Sequence, residues 1–126
     1  MIRNLTESKE HEKLVNMMVN YFNGQGYRNI KADIPGLAEP DTIYGTKKNH
    51  VPDVIAEKNG MLVILEAESS TSIYDEHTAS QWSLFADAAN KSGGEFHVVV
   101  PKGYRDSAKQ RASELGIIVK TIWTPQ

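Results

Sequence analysis

The fold is decided by the stretch at residues 51–70, VPDVIAEKNGMLVILEAESS. Its two halves, residues 51–57 and 61–68, are rich in β-branched and aliphatic side chains, which is typical of strands. Asn59-Gly60 lies between them, and this dipeptide is favoured in two-residue hairpin turns because both turn positions need a positive φ. The stretch therefore predicts two antiparallel strands joined by a tight turn.

The turn also determines which residues face each other across the predicted hairpin. Counting outward from it, Ile55 faces Ile64 and Asp53 faces Glu66. Because side chains alternate along a strand, Glu68 is expected on the same side of the sheet as Glu66. Opposed side chains lie about 5 Å apart, and like charges there destabilise a sheet. Three acids at this end are therefore costly unless a positive charge lies among them.

Two interpretations of this acidic cluster remain open from the residues alone. Asp53, Glu66 and Glu68 can bind a divalent cation, since hard cations take carboxylate oxygens as ligands. Alternatively, they mark a frayed strand end whose acids point into water. The second strand is apolar on both faces up to its acidic end, which is typical of a central strand covered on both sides.

The motif formed by Pro52-Asp53, the hairpin and Glu66-Ala67-Glu68 resembles the PD-(D/E)xK nuclease superfamily. Pro52-Asp53 matches the first part of that signature, and Glu66 matches its second acid. The resemblance implies that Asp53 and Glu66 are catalytic residues that bind Mg²⁺ (or Mn²⁺) for phosphodiester hydrolysis. Glu68 stands where the family has lysine. It cannot supply the positive charge of lysine, so we expect it to act as a general base or as a further metal ligand.

The resemblance also extends to two predicted helices. Superfamily nucleases often add an acid from the first helix to the metal site, and Glu12 matches that position. Gln81 and Phe85 form Q-x-x-x-F, which is similar to the Q-x-x-x-Y element of exonuclease-like branches, where the glutamine helps hold the active site. We therefore expect Glu12 to be a metal ligand and Gln81 to lie in the catalytic site. The alternative for Glu12 is a solvated helix position.

The other elements follow from apolar periodicity and from Gly and Pro punctuation. The expected elements are a helix from about Thr6 or Ser8 to Gly24 or Gly26, a strand at residues 27–32, an unstructured loop at 33–49, a helix from Ser72 to about Lys91, a strand at 95–100, a helix at 105–115 and a strand at 117–123. Either Thr6 or Ser8 can cap the first helix, and Ser72 with Asp75 approximates a capping box at the second.

This order, α-β-β-β-α-β-α-β, predicts an α/β fold in a single domain at residues 1–126. Over residues 6–101 it matches the αβββαβ core of the PD-(D/E)xK superfamily. The resemblance therefore implies a restriction-endonuclease-like core with an added helix and strand, and a mixed central sheet flanked by helices.

Four basic or titratable side chains are candidates for contact with nucleic acid. Lys47 and Lys48 lie in the long loop just before the acidic hairpin, where they can meet a phosphate backbone. His77 shares a helix face with Gln81 just beyond the acids. Lys102 follows a strand end and can reach the acidic cluster, where it replaces the missing lysine. A plain solvated surface is the alternative for each of them.

Composition narrows the class of protein. The chain is 40% hydrophobic and 24% charged, without an apolar run long enough to span a membrane. The absence of cysteine excludes disulfides and thiolate metal sites and suits a cytoplasmic protein. A net charge of −2 indicates no global attraction to nucleic acid, so any binding depends on a local basic surface.

Three hypotheses follow. The first is a Mg²⁺-dependent nuclease acting on nucleic acid, with DNA the favoured form, and with a homodimer or a partner subunit supplying further recognition. The second is a catalytically inactive nuclease-fold protein that serves as a nucleic-acid-binding or assembly subunit. The third is an unrelated small α/β binding protein in which the acids are incidental. Metal-dependent cleavage separates the first two, and convergence of the acids in space separates both from the third.

Overall fold

The computed structural model describes residues 5–126, with side chains from residue 8 onward. Its elements in chain order are α1 (Leu5–Gly24), β1 (Arg28–Ala32), β2 (Ile43–Tyr44), β3 (Asn49–His50), β4 (Val54–Lys58), β5 (Met61–Ala67), α2 (Glu76–Ser92), β6 (Glu95–Val99), α3 (Arg105–Leu115) and β7 (Thr121–Trp123). The predicted order of helices and strands is confirmed, with the short strands β2 and β3 as an addition.

The main sheet has five strands in the order β1-β4-β5-β6-β7. β1, β4 and β5 pair antiparallel, whereas β5, β6 and β7 pair parallel, so the sheet is mixed. The β4–β5 register is the predicted one, since Ile55 pairs with Ile64. Asn59 and Gly60 both have positive φ, at 53° and 78°, as the predicted hairpin turn requires.

Helices cover both faces of this sheet, which confirms the α/β fold. α1 packs on one face through Leu14, Val15, Met18 and Phe22. α2 and α3 pack on the other face, where Trp82 and Phe85 are fully buried. Strand β5 is therefore central and buried on both sides, which explains its unbroken apolar run.

Within residues 5–126, no helix is long and apolar enough to cross a lipid bilayer.

The segment at residues 33–49, predicted as an unstructured loop, contains a second small hairpin. Strands β2 and β3 pair antiparallel, with Ile43 opposite His50 and Tyr44 opposite Asn49. The Asn49 side chain accepts a hydrogen bond from the backbone N–H of Gly45 and closes the turn. Strands of two residues are too short to leave a periodic signal in the sequence, so the prediction of a loop was wrong here.

Several predicted element boundaries also differ from those observed. α2 begins at Glu76 rather than at Ser72, because the Ser72 hydroxyl donates to the Glu68 carboxylate and does not cap the helix. The last strand begins at Thr121, since the chain leaves α3 through an extended segment before pairing with β6. The described part of α1 already includes Leu5, so neither Thr6 nor Ser8 caps it; the Thr6 side chain lies outside the described residues.

A glycine substitution tests the close approach of α2's C-terminal end to the sheet. A Cβ at Gly94 would overlap the backbone carbonyl oxygen of Leu62, whereas a Cβ at Gly24 meets nothing within 4 Å. We expect Gly94→Ala to lower the free energy of unfolding by about 1–3 kcal/mol, as overpacking does. Urea unfolding measures this change. Gly24→Ala is the matched control, and equal stability of the two variants would contradict the packing described.

Candidate functional site

Asp53 and Glu66 form a reciprocal pair at the end of the β4–β5 hairpin. The Glu66 carboxylate accepts a hydrogen bond from the backbone N–H of Asp53 at 2.8 Å, and the Asp53 carboxylate accepts one from Ala67 N–H at 2.9 Å. Their residues are only 9% and 2% exposed. Strand pairing ends at Val54, so the two side chains replace the next rung of the ladder. The predicted juxtaposition of Asp53 and Glu66 is confirmed.

This pair carries an uncompensated electrostatic cost. Burial raises the pKa of Glu66 well above its usual range, and the negative charges of Asp53 and Glu68 raise it further. A buried carboxyl group beside other carboxylates holds its proton more tightly, because neighbouring carboxyl groups cannot easily all be charged at once. The pair is therefore a buried site that favours an added positive charge.

His11 of α1 completes the immediate surroundings of the pair. Its Nε2 lies 3.0 Å from Asp53 Oδ1, and both side chains are nearly buried. Among the described residues, this nitrogen has no partner with hydrogen-bond geometry. Glu10, one residue earlier, accepts a hydrogen bond from the backbone N–H of Ser70. α1 thus contacts the acid pair through His11.

Glu12, the predicted ligand on α1, is not brought to the acids. It is exposed, because it lies about 100° around the helix from His11. The neighbours of His11 along its face are Leu14 and Val15, which pack into the core. His11 lies three residues before Leu14 and four before Val15, so helical spacing alone places it on the buried face of α1.

Glu68 lies in a separate buried cluster with side chains from the turn after β5 and from α2. Its Oε1 accepts hydrogen bonds from Ser72 Oγ at 2.8 Å and Thr78 Oγ1 at 3.2 Å, and its Oε2 accepts one from Trp82 Nε1 at 3.1 Å. Burial raises the pKa of Glu68 to about 7, although the hydrogen bond from Ser72 opposes this rise. Both oxygens are engaged, so Glu68 holds the turn and α2 against the sheet.

The predicted α2 residues are also displaced by one position from those that contact the acids. Thr78 and Trp82 donate to Glu68, whereas His77 and Gln81 precede them by one residue each. Gln81 is partly exposed and forms no hydrogen bond with Asp53, Glu66 or Glu68, all of which are described. The structure therefore does not assign Gln81 to the acid pair.

The predicted basic residues divide into two groups. Lys47, Lys48 and His77 line one cleft between the β2–β3 turn and α2, although they are distant in sequence. Lys102 is exposed in the turn after β6. It forms no ion pair with Asp53, Glu66 or Glu68 within the described chain, so the predicted replacement of the family lysine by Lys102 is not observed.

The two carboxylates of the acid pair suit Mg²⁺ better than a metal ion that takes all of its ligands from the protein. Within residues 8–126, no three His, Cys, Asp or Glu side chains form a group that could hold a metal ion. Mg²⁺, however, is usually bound through one or two carboxylates, with water and substrate phosphate as the other ligands. The backbone bonds from Asp53 and Ala67 orient the two carboxylates as outer-shell partners do. They engage one oxygen of each, and the other oxygen of Asp53 lies beside His11.

Comparisons with known proteins support the fold and go no further. No protein-family model matches the chain, and no curated protein matches it. A similar solved structure is the crystal structure of a protein of unknown function, AF1548, with a TM-score of 0.53 and 16% sequence identity. The match covers 87% of this chain and 54% of that one, so the chain spans about half of its structural neighbour.

The raised pKa of Glu68 predicts how stability depends on pH. The folded protein retains a proton on Glu68 up to pH about 7, whereas the unfolded chain releases it near the ordinary carboxyl pKa. The free energy of unfolding therefore falls as pH rises through this interval, by on the order of 1–3 kcal/mol for this group. Glu68→Gln cannot ionise, so we expect a smaller fall between pH 5 and pH 8 in urea unfolding with EDTA.

Glu12→Gln is the control for that measurement, because it removes an exposed carboxylate. Glu66 contributes to the fall in the same direction and is retained in both variants, so a residual slope is expected. A fall in Glu68→Gln as steep as in the wild type would show that Glu68 is already ionised in the folded protein at low pH.

Proposed function

We propose that this protein is a metal-dependent nuclease that hydrolyses phosphodiester bonds of nucleic acid, with DNA the favoured substrate. The observation that supports it most is the buried pair of Asp53 and Glu66, in which each carboxylate accepts a hydrogen bond from the backbone of the opposite strand at the hairpin end. The resemblance of Pro52-Asp53 and Glu66 to the PD-(D/E)xK signature adds to this support. An incidental strand end would leave these acids in water.

Asp53 and Glu66 are the residues proposed to hold the cation. Mg²⁺ bound there supplies Lewis-acid polarisation of a phosphoryl oxygen and a more acidic bound water. The protein's own part is to hold the two carboxylates in fixed orientations through the backbone N–H groups of Asp53 and Ala67. His11 contacts the outer side of Asp53 and limits its movement. The buried position keeps bulk water from the charged oxygens.

Glu68 is assigned a structural role in this proposal. Its oxygens already accept three hydrogen bonds, which leaves it poorly placed to activate a water molecule. Among the described residues, His11 is the basic side chain in contact with the acid pair. In this proposal the positive charge that the family obtains from lysine would come from the cation.

The second candidate is a catalytically inactive nuclease-fold subunit that binds nucleic acid or assembles with another protein. The engagement of Glu68 favours it, because a carboxylate at the lysine position here closes a structural cluster. In this case the buried pair of Asp53 and Glu66 persists as a part of the fold, and nucleic acid is bound without being cut.

A cleavage assay with matched variants tests the proposal. We expect the wild type to cut at least one of duplex DNA, single-stranded DNA, branched DNA and RNA when Mg²⁺ or Mn²⁺ is present. Asp53→Asn and Glu66→Gln should lower the rate on the order of a hundredfold or more, since each removes a charge that holds the cation. Glu12→Gln should retain the wild-type rate, because Glu12 is exposed and remote from the pair.

Two results would count against the proposal. Cleavage by Asp53→Asn at the wild-type rate would mean that the activity does not depend on the acid pair. Nucleic acid bound by the wild type, with no metal-dependent cutting of any of the four substrates, would favour the inactive subunit. Circular dichroism and urea unfolding of each variant verify that a loss of activity does not come from a loss of fold.

A further inference from the structure

A basic cleft lies between the β2–β3 turn and the N-terminal half of α2. It has a volume of about 520 Å³, and its lining residues are Gly45, Thr46, Lys47, Lys48, Glu76, His77, Ser80, Ser83 and Leu84. None of these residues belongs to the acid pair or to the Glu68 cluster. The cleft is thus a separate feature of the surface.

The charges of this cleft favour an anion. Its lining contains two lysines and one acid, Glu76, in addition to His77. Neither Lys47 nor Lys48 forms an ion pair with any residue in the described part of the chain, and both are exposed. Two adjacent cations without a counter-ion leave a positive potential that a phosphate group can satisfy.

A buried histidine, His50, contacts two of the residues that line the cleft, Ser80 and His77. His50 is 8% exposed, and its Nε2 lies 2.9 Å from the hydroxyl of Ser80 on α2. Burial lowers the pKa of His50, and the nearby positive charges of His77 and Lys48 lower it further. The neutral form of His50 is therefore favoured. His77 and Lys48 are close enough to His50 to influence its ionisation.

The small hairpin that carries the lysines is held firmly over α2. Ile43 packs against the core beneath it, and the Asn49 side chain closes its turn through Gly45 N–H. His50 joins the hairpin to α2 through Ser80 and also contacts the ring of Phe85 edge-on. The backbone of Lys47 and Lys48 is therefore held in place by packing. Binding of a ligand loses little conformational entropy from ordering this backbone.

The cleft also lies close to the acid pair along the chain. His50 is followed by Val51, Pro52 and Asp53, so its Cα is at most about 10 Å from that of Asp53. Because His50 contacts Ser80 and His77 of the cleft, one nucleic acid strand a few nucleotides long can extend from the acid pair to the cleft.

We propose that this cleft binds a backbone phosphate of a nucleic acid strand, with Lys47, Lys48 and His77 as cationic contacts and the Ser80 hydroxyl as a hydrogen-bond donor. The inference rests on the proposed function, because it takes nucleic acid as the substrate. It adds a binding subsite beside the acid pair, and this subsite works without a metal ion.

The test is the affinity for a short fluorescein-labelled single-stranded DNA, measured by anisotropy in EDTA over a range of NaCl concentrations. We expect Lys47→Ala/Lys48→Ala to bind about tenfold more weakly and to lower the slope of log K against log salt by about 1.4, at about 0.7 for each lost phosphate contact. Lys13→Ala/Lys109→Ala removes the same charge from exposed positions elsewhere and should match the wild type.

Variants of Ser80 test the hydroxyl separately from the charge. Ser80→Ala should weaken binding by about threefold to tenfold, as loss of a typical hydrogen bond does. Ser80→Thr keeps the hydroxyl and should restore most of the affinity. Duplex DNA and RNA of the same sequence, measured in parallel, determine which form of nucleic acid the subsite prefers.

The inference is overturned if the Lys47/Lys48 variant binds as tightly as the Lys13/Lys109 control, or if the wild type binds none of the three nucleic acids. Its failure differs from failure of the proposed function. Lysine-dependent binding in EDTA without cleavage in Mg²⁺ would support the cleft and reject the nuclease. Metal-dependent cleavage without any effect of the lysines on binding would support the nuclease and reject the cleft.

Discussion

The burial of three carboxyl groups at one end of the β4–β5 hairpin is the constraint on which the other parts of the structure depend. Removing an ionised carboxylate from water is costly unless it is paired, hydrogen-bonded or protonated. The chain uses all three solutions. Asp53 has a backbone donor and contacts His11, Glu66 has a backbone donor and a raised pKa that favours its protonated form, and Glu68 has three side-chain donors.

These compensating contacts tie the helices to the sheet. His11 and Glu10 connect α1 to the acidic end, while Thr78 and Trp82 connect α2 to Glu68. The compensation is incomplete at Glu66, where the pKa stays well above its usual range. A carboxyl group with a strongly shifted pKa next to a second carboxyl group is typical of functional sites. A contact with only a structural role gains nothing from this electrostatic cost.

The sequence was sufficient to predict the hairpin, its register and the Asp53–Glu66 pair, since a two-residue turn leaves no freedom in register. It did not identify which helix residues contact the acids. The family resemblance predicts Glu12 and Gln81, and each lies one residue from the side chain that contacts the acids, His11 and Trp82. One residue is about 100° of helix rotation. The apolar positions at Leu14, Val15, Phe85 and Ala89 identify the buried faces and would have corrected both choices.

Calorimetric titration of the wild type with Mg²⁺ and Mn²⁺, in two buffers with different ionisation enthalpies, tests the central claim most directly. A cation that binds at Asp53 and Glu66 has to displace the proton that the raised pKa favours on Glu66. The account predicts saturable binding with the release of about one proton per ion, and loss of both signals in Asp53→Asn. Absence of metal binding, or binding that releases no proton and persists in Asp53→Asn, would contradict it.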